Sequence, residues 1–275
     1  PAPRAFAGMP SSSKRSSREQ ERLFGVMRHA ERADGPFAFY GGMRWTKTED
    51  YSNWPHDPPL SDEGMVAAQD LARQVRSFGE EKSRGSSPIV VVTSPYSRCV
   101  QTAAVVCQGL AGVKVRMMVD LSLGEIYGPQ VMGSTEPQTV TRPMEQMIRE
   151  GFKPSIVTQA KIVGKWPTWP EDLKMARQRF AVRFLTYLKR SSSVGRNFLL
   201  VTHADCVVSA LSVMPSHAGQ VAARVDYGGM FLANQVKPPS ESMVHKVGGL
   251  LKGAACFGKA AHEQVRREKQ EEEEE

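Results

Sequence analysis

The chain has 275 residues, 40% of them hydrophobic, and a formal net charge of +7, which is enough apolar material for one large or two small domains and leaves no stretch long enough to cross a membrane. Residues 22 to 237 alone hold 26 basic and 19 acidic side chains, so the charge belongs to the core and the two tails cancel. The basic residues are scattered rather than set in a stripe with interleaved aromatics, which points to a small anionic substrate rather than nucleic acid.

Residues 1–21 are rich in Ser, Arg and Pro, lack the apolar core of a signal peptide, and read as a disordered leader. Leu23 to Met27 is an apolar, strand-like run that ends abruptly in Arg28-His29-Ala30-Glu31-Arg32. A long connection follows from 35 to 59, carrying Phe37, Phe39, Tyr40, Trp45, Tyr51 and Trp54, either as loop packing or as a substrate wall. Ser61 is a good N-cap, with Asp62 and Glu63 favourable to the helix dipole. Met65, Ala68, Leu71, Ala72 and Val75 supply an apolar stripe that Gly79 is expected to stop.

The second strand, Ile89 to Thr93, runs into Ser94-Pro95-Tyr96-Ser97-Arg98, and Cys99 to Leu110 reads as the next helix. Lys114 to Leu123 reads as a third strand, residues 124–170 as irregular and Pro-rich, and Glu171 to Lys189 as a strongly amphipathic helix. Phe198 to Thr202 is a strand running into His203-Ala204-Asp205, followed by a helix from about Asp205 to Val213 and a last strand region from Ala223 to Val236. Residues 238–275, ending in Glu271 to Glu275, read as a flexible charged tail. The domain is thus expected over 22–237, as an α/β fold.

If the three strands that end in charged residues lie side by side and parallel, Arg28, His29, Arg32, Arg98 and His203 meet at the carboxyl edge of the sheet, where open α/β folds place ligands. A phosphomonoester dianion resists an anionic nucleophile, so such a site needs a neutral nucleophile ringed by cationic donors. Imidazole is neutral, and guanidinium forks onto phosphoryl oxygens bidentately where Lys cannot. His29 is therefore the expected nucleophile, with its other ring nitrogen donating to a backbone carbonyl. Arg28, Arg32 and Arg98 are the expected phosphate ligands, although Arg32 has an alternative as an ion-pairing residue beside Glu31.

Arg28-His29-Ala30, Leu60-Ser61-Asp62-Glu63-Gly64, Ser94 to Ala103 and Thr202-His203-Ala204, in this order, resemble the histidine phosphatase (phosphoglycerate-mutase-like) superfamily over roughly residues 22 to 236. Around the first motif and Asp57-Pro58-Pro59-Leu60-Ser61, the chain is most similar to the branch holding the phosphatase domains of the ubiquitin-associated, SH3-containing suppressors of T-cell signalling. The resemblance implies a three-layer α/β/α fold with a mostly parallel central sheet. It also implies a phosphomonoesterase working through a phosphohistidine, with His203 as a second, protonated phosphate ligand. It places a proton-donating carboxyl soon after the third strand, where Glu125 fits, with Glu136 and Asp120 as alternatives. Ala30 stands where the family usually has Gly.

Phosphoglycerate mutase or sugar bisphosphatase would share these residues, and a catalytically idle scaffold could bind phosphorylated partners through the same pocket. No Cys is followed six residues later by Arg, no Gly-x-Ser-x-Gly elbow or P-loop occurs, and no His/Asp cluster has convincing metal spacing. Catalysis without metal or other cofactor is expected. Cys99, Cys107, Cys206 and Cys256 show no Cys-x-x-Cys spacing, which predicts reduced thiols and a cytoplasmic location. The expected partner is a phosphorylated small molecule or phosphoprotein, with neither nucleic acid nor a membrane span, and with a homodimer as one option.

Overall fold

The computed structural model describes residues 22–82, 88–110, 112–149, 160–214 and 224–234. The expected leader at 1–21, the tail at 238–275 and the outer ends of the last strand region lie outside the described residues. Six strands form one sheet: β1 (Leu23–Arg28), β2 (Ile89–Thr93), β3 (Val115–Asp120), β4 (Lys161–Val163), β5 (Asn197–Thr202) and β6 (Met230–Asn234), in the order β4-β3-β2-β5-β1-β6. Every neighbouring pair is parallel except β1 with β6, which is antiparallel.

The central strands β1, β2 and β5 read as unbroken apolar runs because helices cover both faces. Period-two alternation divides each run between two cores. Met27, Val91, Leu199 and Val201 point into one core, with α2 (Asp62–Lys82) and α3 (Ser97–Gly109). Phe24, Val26, Val92 and Leu200 point into the other, with Phe180 and Phe184 of the long helix Leu173–Val194 and Val207 and Leu211 of the helix Ala204–Ser212. The layering is the expected α/β/α. β2, β5 and β1 are adjacent, so their carboxyl ends share one stretch of the sheet edge.

Several local readings change. Gly79 does not stop α2, which runs on to Lys82, because one glycine costs a helix only about 1 kcal/mol. The third strand ends at Asp120, whose carboxylate accepts from the Ser122 amide and turns the chain into a 3-10 turn, Leu121–Leu123. The connection from 35 to 59 contains a 3-10 turn at Trp45–Lys47 and a short helix, α1 (Glu49–Asn53). Its aromatics divide: Trp45 is fully buried against Tyr51 and bonded to Asp50, whereas Phe37 is exposed. Among the described residues of 124–170 are two short helices, α4 (Pro129–Met132) and α5 (Met144–Arg149), in addition to β4. With these numbered, Leu173–Val194 is α6 and Ala204–Ser212 is α7.

Candidate active site

The nucleophile expected from sequence sits one residue past the end of β1. Its amide donates to Thr202 O (2.9 Å) and its carbonyl accepts from Gly228 N (3.0 Å), so the backbone of His29 is tied to a strand end on one side and to the turn before β6 on the other. The side chain is 1% exposed. Nδ1 lies 2.7 Å from the Ala30 carbonyl, which can only accept, so this nitrogen carries the proton. Nε2 accepts from Arg98 Nε at 3.2 Å. Burial, then the nearby Arg98, His203 and Arg28, hold the imidazole well below its ordinary pKa, and it stays neutral with its lone pair on Nε2.

The second motif holds the first in place. Ser61 caps α2 by accepting from Gly64 N (2.9 Å), donates its hydroxyl to Glu31 Oε2 (2.7 Å), and donates its amide to Glu31 O (3.0 Å). A Cβ on Gly64 would collide with the Glu31 carbonyl, so the helix reaches the loop only because this position has no side chain. Ala30 is buried in the core, and its amide donates to Thr102 Oγ1 (3.1 Å), whose hydroxyl donates in turn to Arg98 O (2.8 Å). One threonine therefore joins the His29 loop to the first turn of α3.

Arg98 is 2% exposed and lies between the two histidines, with Nη2 3.4 Å from His203 Nδ1 and 3.5 Å from Glu125 Oε2. Arg28 donates to Val225 O (2.5 Å) and stacks under the Tyr227 ring, 4.1 Å from its centroid. Arg28 Nε and Arg98 Nη1 are buried without a hydrogen-bond partner. Buried N–H groups are normally satisfied, so a centre with two spare guanidinium donors and a neutral nucleophile is short of an anion. Arg32 is different. Its Nε and Nη2 fork onto Asp34 at 2.9 Å each, and the pair is a quarter to a third exposed.

His203 caps the end of β5. Its Nδ1 donates to Glu125 Oε2 (3.1 Å) and its Nε2 faces the Ser94 hydroxyl (2.9 Å). Burial lowers its pKa to about 4, against the opposing pull of Glu125. Burial opposes ionisation of Glu125 too, but His203, Arg98 and the Ile126 amide outweigh it and keep the carboxyl well below its usual range. Of the two alternative acids, Asp120 is bonded to Tyr187 (2.7 Å) and Arg183, and Glu136 to the Tyr127 hydroxyl (2.7 Å). Cys99 Sγ is 3.8 Å from His203 Nε2, but burial raises its pKa to about 12 and leaves it a thiol. Among the described residues, no group of three or more His, Cys, Asp or Glu side chains could hold a metal ion, and no helix is long and apolar enough to cross a membrane.

Sequence reasoning missed the supports of this centre. Asp57, fully buried, accepts from Ser97 N (2.7 Å) at the start of α3 and from Arg142 N (3.1 Å) and Nε (3.2 Å). Arg142 also donates to Asp57 O (2.8 Å) and Asp50 (2.9 Å), fastening residues 50 to 57 to the turn that presents Arg98. Arg142 lies 85 residues from Asp57 in an irregular stretch, so no periodicity marks it. Tyr227, whose ring is 5.7 Å from that of His29, was equally silent.

A family model described as the histidine phosphatase superfamily (branch 1) matches residues 26–220, well over half of the chain. Among solved structures, the chain is similar to the ecdysone phosphate phosphatase of Bombix mori, crystallised with tungstate. The two share 18% identity, the TM-score is 0.57, and the match covers 80% of this chain and 93% of that one. It is also similar to phosphoglycerate mutase from Bacillus anthracis, at 15% identity and a TM-score of 0.47, over 83% of this chain and 97% of the other. At such identity the first likeness speaks to the fold alone. No curated protein matches the chain.

Proposed function

The chain belongs to the histidine phosphatase superfamily, and from that premise we propose that it is a phosphomonoesterase that works through a phosphohistidine on His29. The observation that carries this reading is the tautomer: Nδ1 bound to a carbonyl and Nε2 a buried, uncharged acceptor beside two arginines with unsatisfied donors. An entering phosphoryl group takes the place of Nε2 as the acceptor for Arg98, and frees the lone pair it had held. Nε2 then attacks phosphorus in line with the leaving oxygen, the phosphorus–oxygen bond breaks, and charge on the equatorial oxygens is met by Arg28, Arg98 and His203.

The dianion raises the pKa values of its neighbours, so His203 becomes a charged donor and Glu125 holds a proton that the leaving alkoxide removes. The resulting carboxylate activates water against phosphohistidine, and phosphate departs. Arg32 becomes a phosphate ligand only by leaving Asp34, onto which its Nε and Nη2 are forked. The substrate is a phosphorylated small molecule or phosphoprotein, turned over without metal and in the cytoplasm. The resemblance of the first-motif residues to the suppressor-of-T-cell-signalling phosphatase domains supports that branch as part of this proposal.

Turnover of para-nitrophenyl phosphate and acid-quench trapping test the reading together. The protein should hydrolyse the ester and carry acid-labile phosphate on His29, and His29→Ala should lose both while melting at a similar temperature. Phosphate found on a serine or cysteine, or turnover persisting in His29→Ala, would refute it.

A further inference from the structure

Glu125 has no regular secondary structure to hold it. It lies in the irregular stretch between the 3-10 turn Leu121–Leu123 and α4, and a proton donor must stay within hydrogen-bond reach of the leaving oxygen. The support comes from one side chain on α6. Arg179 donates Nη1 to Ser122 O (2.7 Å) and Gly124 O (3.0 Å), and Nη2 to Glu125 O (3.3 Å). Its remaining N–H groups, on Nε and Nη2, fork onto both oxygens of Glu171 at 2.7 Å each. All five guanidinium hydrogens are therefore engaged.

Glu171 completes the bracket on the far side of the acid. Its Oε2 accepts from Tyr127 N (3.1 Å), its own amide donates to Tyr127 O (2.8 Å), and a Cβ on Gly128 would collide with its carbonyl. The carbonyl that Arg179 leaves out, Leu123 O, is taken by the Thr202 hydroxyl (3.0 Å). From residue 122 to residue 127 the chain is thus fixed on both sides of Glu125 by an Arg–Glu pair that bonds to Glu125 at its backbone carbonyl.

We propose that Arg179, oriented by Glu171, is the positioning residue for the proton donor Glu125, and that it sets how well the protein cleaves esters with poor leaving groups. This rests on the reading of Glu125 as the acid. The role needs a planar fork that spans three carbonyls and one carboxylate, which the point charge of a lysine cannot reproduce. A displacement of about 1 Å at a reacting group can cost about 100-fold in rate, and here it would fall on the step that needs the proton.

The experiment measures kcat/KM for para-nitrophenyl phosphate and for glycerol 2-phosphate in wild type, Arg179→Lys, Glu125→Gln and the double variant. Arg179→Lys should lose about 100-fold on the alkyl ester and less than about 10-fold on the aryl ester, and should add no further selectivity in the Glu125→Gln background. Equal losses on both esters, or the same added selectivity in the double variant, would overturn the proposal and leave Arg179 a structural residue. Glu125→Gln that damages both esters equally would instead remove the acid reading itself. Glu171→Gln, which keeps shape and loses the charge, should show a smaller selectivity of the same sign and carries the same test if Arg179→Lys does not fold.

Discussion

Stability between pH 7 and pH 5 should be governed by the two buried histidines, and His203→Gln isolates one of them. In the folded protein burial lowers the pKa of His203 to about 4, against 6.5 in an unperturbed side chain. Between those values the unfolded chain binds a proton that the folded chain does not, so stability is full above pH 6.5 and is lost as pH falls through the window. Each pH unit below the unperturbed value is worth about 1.4 kcal/mol, so at pH 5 this histidine alone lowers the free energy of unfolding by about 2 kcal/mol. His29, held well below 6.5 by burial and then by Arg98, His203 and Arg28, acts in the same direction. Against a total of about 5–15 kcal/mol for an ordinary domain, this is a large pH response. Urea unfolding followed by circular dichroism at pH 7, 6 and 5 reads it directly. Wild type should lose at least about 2 kcal/mol over this range, and His203→Gln should lose about 2 kcal/mol less than wild type. A glutamine variant with the full wild-type slope would refute the assignment of the window to His203.

Asp57→Ala removes the acceptor of two buried amides and one face of the Arg142 guanidinium, and should destabilise the protein by about 3–5 kcal/mol, seen as a lower urea midpoint at unchanged slope; a loss below about 1 kcal/mol would mean that Asp50 alone suffices to pair Arg142. Because guanidinium and imidazolium groups supply the positive charge, chelators should leave para-nitrophenyl phosphate turnover unchanged and vanadate should inhibit competitively, whereas an activity abolished by chelation and restored by one divalent ion would contradict the proposed chemistry.

Much of the fold was legible because burial on both faces writes the central strands β1, β2 and β5 as plain apolar runs and places their charged ends at the sheet edge. Ile89 to Thr93 and Phe198 to Thr202 are such runs, and both were found with ends right to about a residue. The direction of β6 was not legible, since antiparallel and parallel edge strands share the same composition. His29, Arg28, Arg98 and His203 could be placed together because each lies at the carboxyl end of a strand or within five residues of it. Arg32 was ambiguous for a local reason that the structure makes concrete: Asp34, two residues away, supplies a forked partner. Arg142 and Arg179 were invisible because their partners are between 8 and 92 residues distant and share no period with them. An arginine in a helix looks the same whether its guanidinium meets water or three carbonyls.

The nucleophile and the acid are fastened to different parts of the molecule. Amides of His29 and Ser94 bond to the β5 end, at Thr202 and Val201, in the middle of the sheet, whereas Glu125 hangs on a bracket between the 3-10 turn and α6. Opening the first arrangement requires parting central strands, close to global unfolding, while the second can be reshaped by exchanging residues in a single irregular segment. A descendant of this chain could therefore acquire a new leaving-group preference through substitutions at 122–124 and 126–128 while Glu125 is kept as the partner of His203 and Arg98, which makes those flanking positions the first to randomise in a directed-evolution experiment.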